Sequence, residues 1–265
     1  VNSLLSLDQF PVTPWGVYSV WRRHAKVYQK TWLMNFLSPV AEPLFYLLSF
    51  GYGLTPLISN LVYEGRPVTY LRFIAPAMIS LGLVLQPFFE GAYGTFIRVN
   101  FQKTWQANLT APLSFAEIFI GDWIWAATKG MLVSTATALV TIALGIFPWQ
   151  DLLFLLPIMM LGSLTFAALG MLTASIVRVA DQVNFPVFLF IVPMCTLSGT
   201  YFPRTILPEQ ARGVAAALPL ASVVDLMRWS IAVPSLWWLQ LMWLIALAAG
   251  LATIAARLIY AKIVR

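Results

Sequence analysis

The sequence predicts an all-α integral membrane protein with six transmembrane helices, an N-terminal amphipathic interfacial helix, a short amphipathic helix on the cytoplasmic side and an outer re-entrant helix pair. Three observations carry the prediction. Six apolar stretches, beginning near Trp32, Phe73, Gly121, Leu152, Asn184 and Leu236, approach the roughly 20 helical residues needed to cross a hydrocarbon core about 30 Å thick. The composition agrees throughout, at 60% hydrophobic, 10% charged and a mean hydropathy of +0.81. No segment between the stretches is long enough for a soluble catalytic domain, so residues 1–265 form a single bundle and the function lies in the membrane.

The net charge of +6 would suggest a nucleic-acid partner in a soluble chain. Here its distribution between alternate loops sets orientation instead, and no nucleic acid is expected. Arg22, Arg23, Lys26, Lys30, Arg98, Lys103, Arg178, Arg257, Lys262 and Arg265 lie on one side and make ten of the sixteen basic residues. Arg66, Arg72, Arg204, Arg212 and Arg228 lie on the other, with Lys129 inside a span. The positive-inside rule then places both termini in the cytoplasm, consistent with an even number of spans. The single cysteine, Cys195, falls in the fifth apolar stretch and reads as a small buried hydrophobe. The first residues lack the pattern of a secretory signal, so the first span is expected to act as its own insertion signal.

Taken in order, Thr13 and Pro14 make an N-cap and first-turn pair. Trp15, Tyr18, Trp21, Ala25, Tyr28 and Trp32 then recur at helical spacing, with Arg22, Arg23, Lys26 and Lys30 elsewhere. An aromatic stripe opposite a basic face predicts an interfacial helix over 14–31, resting on membrane lipid. The first span, near Trp32 to Leu54, carries Pro39, Glu42 and Pro43. A carboxylate at that depth costs a few kcal/mol unless paired or hydrated; it either lines a path or bonds a neighbouring helix or water. The second span carries Glu90, Gly91, Gly94 and Arg98, and Glu90 and Gly94 share a face. A neighbour could therefore approach beside the carboxylate, in a buried network or in contact with substrate.

The segment from Asn100 to Pro112 spaces Phe101, Trp105 and Leu109 at i, i+4 and i+8, with Gln102, Lys103, Gln106 and Asn108 pointing elsewhere. A short helix of this kind projecting from a bundle has the form of a docking element. Ser114 and Glu117 form a capping box, and the helix they start passes through Asp122 and Lys129 to about Phe147, longer than one straight span needs. Its first turns are expected to protrude into the cytosol. Asp122 and Lys129 stand roughly 10 Å apart along the axis, so separate pairings are expected in preference to a relay. Gly170 and Ala174 in the fourth span, and Ala248, Ala252 and Ala256 in the sixth, are small-residue packing faces.

A turn at Arg178 and Asp181 leads to a fifth span of about sixteen residues broken by Pro186 and Pro193, too irregular for a plain anchor. The segment 200–232 is too polar and proline-broken to cross, yet too apolar for a free loop. A pair of short helices dipping into the outer leaflet, their broken backbone buried in protein, resolves the conflict and would shape an outer gate.

This order of elements, with the run FEGAYGTFIR from Phe89 to Arg98, the Ala111-Pro112-Leu113-Ser114 sequence, and Ser198 to Pro203 followed by Leu207, Pro208, Pro219 and Arg228, resembles the type-2 ABC exporter permeases. That class includes polysaccharide and lipo-oligosaccharide exporters, and the chain is most similar to the nodulation-factor export permeases over nearly its whole length. The resemblance implies a transport subunit of the inner (plasma) membrane, not an enzyme. It implies a homodimer bound by two copies of an ABC ATPase, with residues 100–110 as the coupling helix and Phe101, Lys103, Trp105 and Leu109 as its contacts. It also implies that the first and fifth spans meet across the dimer axis. ATP and Mg would sit on the partner, with no cofactor, metal or catalytic residue here, and indeed no G-x-x-x-x-G-K-[ST] phosphate loop occurs in the chain.

Candidate path or gate residues are Glu42, Tyr46, Glu90, Tyr93, Gly199, Tyr201 and Phe202, because aromatic faces stack on sugar rings and carboxylates bond hydroxyls. Other readings remain. An ion-coupled secondary transporter would use Glu42 and Glu90, with Asp122 and Lys129, as a relay, but no inverted repeat relates the two halves. An intramembrane enzyme would need clustered catalytic groups, yet the only histidine is His24 and no H-E-x-x-H motif occurs. An ABC exporter of a drug-like hydrophobic molecule fits the same framework.

Overall fold

The computed structural model describes residues 12–58 and 61–264, so Arg265, one of the ten basic residues expected on the cytoplasmic side, lies outside the described residues. The N-terminal helix α1 (Pro14–Lys30) is followed by span 1, α2 (Trp32–Tyr52), and by a small hairpin of β1 (Val62–Tyr63) and β2 (Arg66–Pro67). Span 2 is α3 (Tyr70–Asn100), then comes the short α4 (Thr104–Leu109). Spans 3, 4 and 5 are α5 (Phe115–Ala143), α6 (Trp149–Ile176) and α7 (Ala180–Leu197). Two short helices, α8 (Glu209–Ala217) and α9 (Pro219–Met227), precede span 6, α10 (Trp237–Val264). The two strands pair antiparallel, Val62 opposite Pro67 and Tyr63 opposite Arg66. Six of the described helices are thus long and apolar enough to cross a membrane.

Spans 2, 3 and 4 pack on one another and form the centre of the bundle, span 6 lies on span 4, and span 1 leans on spans 2 and 3. Glycine decides how close the central helices come. A Cβ on Gly91 would stand 2.5 Å from the Ala167 carbonyl oxygen, and one on Gly170 would strike the Phe88 carbonyl. Spans 2 and 4 therefore meet backbone to backbone, with Gly170 on the packing face its spacing with Ala174 suggests. The close approach in span 2 is at Gly91, not at Gly94. A Cβ on Gly94 would lie 2.8 Å from Glu90 Oε1 and 3.1 Å from Arg98 Nη1, so that glycine makes room for an ion pair within its own helix. In span 6, Ala248 and Ala252 are buried and Ala255 replaces Ala256 as the third fully buried small residue.

Three spans contain a π-helical stretch: Leu47–Tyr52, Glu90–Gly94 and Val187–Ile191. Each begins within four residues of a proline, Pro43, Pro87 or Pro186, where a missing N–H has already broken the regular ladder. Span 3 ends at Ala143, short of Phe147, because Gly145 takes φ +71° and the Ile146 and Phe147 amides fold back onto the Thr141 carbonyl. Spans 1, 5 and 6 all carry bare apolar faces, with Phe45, Leu48 and Tyr52 on the first, Phe185, Phe188 and Leu189 on the fifth, and Trp238, Met242 and Ile245 on the sixth exposed.

Span 3 does not protrude freely at its start. Phe115, Glu117, Ile118 and Phe119 are buried, covered by α1, α4 and the end of span 6, where Tyr260 meets Phe115 edge-on. The Ser114–Glu117 capping box forms, and Glu117 Oε1 also accepts from the backbone N–H (2.8 Å) and hydroxyl (2.5 Å) of Thr13, itself the N-cap of α1. Helix α1 thus docks along span 3 through Gly16, Val20 and His24, while Trp15 and Tyr18 of the aromatic stripe face outward.

Candidate coupling and gate sites

Below α4 lies a buried cluster of charges contributed by three helices. Asp122 of span 3 is 1% exposed. Its Oδ1 accepts from His24 Nε2 of α1 at 2.5 Å, and its Oδ2 accepts from Trp105 Nε1 of α4 at 2.8 Å. Arg98 Nε of span 2 stands 2.9 Å from the same Oδ2, an ion contact whose N–H is not aligned for a hydrogen bond. Arg98 then reaches along its own helix to donate from Nη1 to Glu90 Oε1 at 2.7 Å, and Lys129 of span 3 holds the other oxygen, Oε2, at 2.7 Å. Burying charges this deeply is tolerable only because each carboxylate oxygen is matched by a donor.

Aromatic rings wall the cluster. His24 stacks on Trp125 at 5.7 Å between ring centres, Tyr28 meets Trp125 edge-on, and Lys129 lies 5.5 Å from the Tyr28 ring centre. Asp122 and Lys129 do take separate partners, His24 with Trp105 and Glu90 respectively, but Arg98 touches both carboxylates and so joins the two pairings. Glu90 sits in this network with both oxygens engaged and its side chain largely buried. An open pocket lined by Glu90, Gly94, Arg98, Arg23 and Gln102 borders it. On α1, burial lowers the pKa of Arg23, partly offset by nearby Asp122.

The 100–110 segment differs from its periodicity. Lys103 adopts the left-handed region, φ +52°, so the helix runs only from Thr104 to Leu109 and Phe101 stands outside it. Phe101 (68%), Lys103 and Leu109 (37%) are exposed, whereas Trp105 is 0% exposed, wedged edge-on between Phe115 and Phe119. Trp105 therefore cannot contact a partner in this conformation. Its indole points inward and fixes the segment to span 3, so of the four predicted contacts Phe101, Lys103 and Leu109 present a free surface.

At the other end, Tyr46 and Phe50 of span 1 stack at 5.8 Å, and Tyr201 meets both edge-on at 6.2 and 5.9 Å. The Tyr70 hydroxyl donates to the Tyr201 carbonyl at 2.9 Å, tying this contact to the start of span 2. Glu42 is exposed in a groove shared with Phe45, Tyr46 and Ser49. Burial, with Cys195, Tyr46 and Glu42 acting in the same direction, pushes the Tyr201 phenol up, so it keeps its proton. Phe202 is half-buried beside it.

Gly199 has φ +80°, and its carbonyl accepts from Arg228 Nη2 at 2.8 Å. Arg228, 1% exposed, also donates from Nε to the Phe73 carbonyl at 3.2 Å and lies 3.7 Å from the Phe73 ring centre. Asp225 holds Arg204 at 2.5 Å and Gln240 at 3.1 Å, so α9, span 6 and the loop after span 5 are stapled together. Tyr93 belongs to neither group: its hydroxyl donates to Asn184 Oδ1 at 2.8 Å, between spans 2 and 5.

The structure thus brings Glu42, Tyr46 and Tyr201 together and sets Glu90 apart from them. Sequence reasoning missed His24 and Arg98 as members of the charge cluster, although Gly16, Val20 and His24 recur every four residues and mark a docked face distinct from the aromatic stripe. It also missed Phe50 and the central part of Arg228. Among the described residues, no group of three or more His, Cys, Asp or Glu is placed to hold a metal ion.

Comparison with known proteins fits this architecture. The chain is similar to Nodulation protein J of Sinorhizobium fredii, at 33% identity over 82% of each chain. It is similar to Nodulation protein J of Rhizobium leguminosarum bv. viciae at 37% identity, over 79% of this chain and 80% of that protein. It is also similar to the inner membrane transport permease YadH of Escherichia coli at 20% identity, over 78% of this chain and 79% of the permease. The family described as ABC-2 type transporter matches residues 16–232, which take in nearly all of α1, spans 1 to 5, the charge cluster, and both α8 and α9. The chain therefore belongs to the ABC-2 type transporter family.

Proposed function

We propose that this multi-pass inner-membrane protein is the permease subunit of an ATP-driven exporter, acting as a homodimer with two copies of a separate ABC ATPase. Its cargo is a lipo-oligosaccharide, polysaccharide or similar amphiphile carried outward from the cytoplasmic side. The observation that carries this reading is the likeness to Nodulation protein J at 33% and 37% identity over about four-fifths of the chain. The excess of Lys and Arg on the α4 side supports cytoplasmic termini. ATP and Mg then belong to the ATPase, which docks on Phe101, Lys103 and Leu109.

The geometry supports a mechanical role. Trp105 and Arg98 both converge on Asp122, so a push on the 100–110 segment is passed to spans 2 and 3 and to α1 together. Spans 1 and 5, with their bare apolar faces, supply the dimer contact, and α8 and α9 with the Tyr46–Phe50–Tyr201 group close the outer side. An ion-coupled transporter is less well supported, because both oxygens of Glu90 are already held by Arg98 and Lys129.

The test is a gentle detergent pull-down of the tagged chain from native membranes, with partners and stoichiometry determined by mass spectrometry. An equal amount of a subunit bearing a phosphate loop, with ATPase activity stimulated by lipo-oligosaccharide, is expected. Recovery of the chain alone, from membranes in which other ATPase complexes survive, would overturn the reading. Stimulation only by drug-like hydrophobic compounds would overturn the assigned cargo.

A further inference from the structure

A cavity of about 350 Å³ opens at the bundle end opposite α4, between the hairpin, the first turn of span 2, the turn joining spans 3 and 4, and the turn after α9. Its polar side carries Arg66, Arg72 and Thr69, and its apolar side includes Pro76, Phe147 and Ile231. Among the described residues, no Asp or Glu lines it. Two cations facing an apolar floor without a counter-charge is an unbalanced arrangement, and Arg72, whose side chain makes no hydrogen bond among the described residues, differs from the other arginines at this end. Arg204 pairs with Asp225, Arg228 is satisfied by carbonyls and ring faces, and Arg212 donates to the Thr205 and Leu207 carbonyls.

Arg66 spends one N–H on the Ile231 carbonyl at 2.9 Å, which fixes the guanidinium at the rim and leaves its other donors open. Arg72 is exposed and, among the described residues, has no carboxylate partner. Arg72 also sits in the first turn of span 2. The Thr69 side chain does not cap that turn, so its amides add to the positive field over the cavity.

We propose that this cavity binds the phosphate of an anionic lipid headgroup, with Arg66 and Arg72 as the two cationic contacts and the Phe147 side receiving the apolar start of the lipid. Guanidinium matches a phosphate in geometry as well as charge. A lipid fits better than a free anion because the cavity is half apolar and lies at the rim of three spans, beside the exposed Trp149 that is typical of a membrane interface. The site does not depend on what the protein transports.

Native mass spectrometry of the full chain in detergent tests this, titrating phosphatidylglycerol, diacylglycerol of the same chain length and inorganic phosphate separately. Phosphatidylglycerol is expected to bind, and Arg72→Gln to weaken the first bound lipid on the order of tenfold or more, the loss of a charge-assisted contact. Arg72→Lys, which keeps the charge but not the fork geometry, should fall between wild type and Arg72→Gln, and Arg212→Gln should keep all of the affinity. Arg72 makes no hydrogen bond among the described residues, so an unchanged melting temperature accompanies the loss. Equal affinity for diacylglycerol, or undiminished phosphatidylglycerol binding by Arg72→Gln, would overturn the site. Arg72-dependent binding of inorganic phosphate as tight as that of the lipid would overturn the lipid source in favour of a free anion.

Discussion

Truncating Trp105 separates a docking residue from an internal strut. On an exposed docking face, Trp105→Ala would leave stability unchanged and abolish only ATPase contact. The structure demands a different outcome. The indole is fully buried between Phe115 and Phe119 and its N–H reaches Asp122 at 2.8 Å. Removing a buried Trp costs about 3–5 kcal/mol through lost contacts and residual cavity. Losing a hydrogen bond to a charged acceptor adds about 1.5–3 kcal/mol, the two overlapping because one side chain makes both. Trp105→Phe keeps most of the ring packing and isolates the second contribution. The assay is thermal unfolding of the purified chain in one detergent, with monodispersity by size exclusion. The Ala variant should melt well below wild type, with Phe between them. An Ala variant that melts with wild type while losing only the partner would refute the assignment of Trp105 to the interior.

Phe101→Ala with Lys103→Glu should behave in the opposite way, with an unchanged melting point and lost ATPase in the pull-down; retention of the partner would remove the docking surface from this segment. Gly170→Ala places a methyl against the Phe88 carbonyl, and because neither backbone can yield cheaply, the chain should fail to reach a monodisperse state in detergent; normal folding would mean the spans 2 and 4 crossing is looser than drawn. Gly199→Leu puts a branched side chain at φ +80°, costing roughly 1–2 kcal/mol, and is expected to reduce export while leaving ATPase binding intact. Glu90→Gln leaves Lys129 and one side of Arg98 without a counter-charge, a loss of about 3–5 kcal/mol measurable by unfolding; an undisturbed fold with lost export would return Glu90 to the transport path.

The apolar stretches were legible because crossing a bilayer imposes one length on every span, and all six begin near their expected positions. The Thr13 cap and the Ser114–Glu117 box were legible because a capping bond is local. The periodicity of Phe101, Trp105 and Leu109 misled, since it assumes a continuous helix and the left-handed Lys103 breaks it after Phe101. The same local view could not see His24 meeting Asp122 across 98 residues. A helix with two candidate faces declares the docked one only against its partner: Gly16 on α1 makes room for Glu117, and Gly121 on span 3 makes room for Val20.

That docking bears on how force would travel. The segment 100–110 is joined to span 2 through the chain itself, to span 3 through Trp105 and Asp122, and to α1 through Asp122 and His24, all within one buried cluster. Span 1 follows α1 after a single residue, Thr31. Under the proposed function, a displacement of α4 would be passed to span 1 by a polar contact and a continuous chain, with no need for a direct side-chain path across the bilayer. Tyr46 and Phe50, against which Tyr201 packs at the far end, lie on that same span. The π-helical stretch from Leu47 to Tyr52 falls just where the span meets Tyr201. π-helical turns inside α-helices recur at functional sites, so under the proposed export function the Tyr46–Phe50–Tyr201 group is the contact whose packing would change between closed and open states.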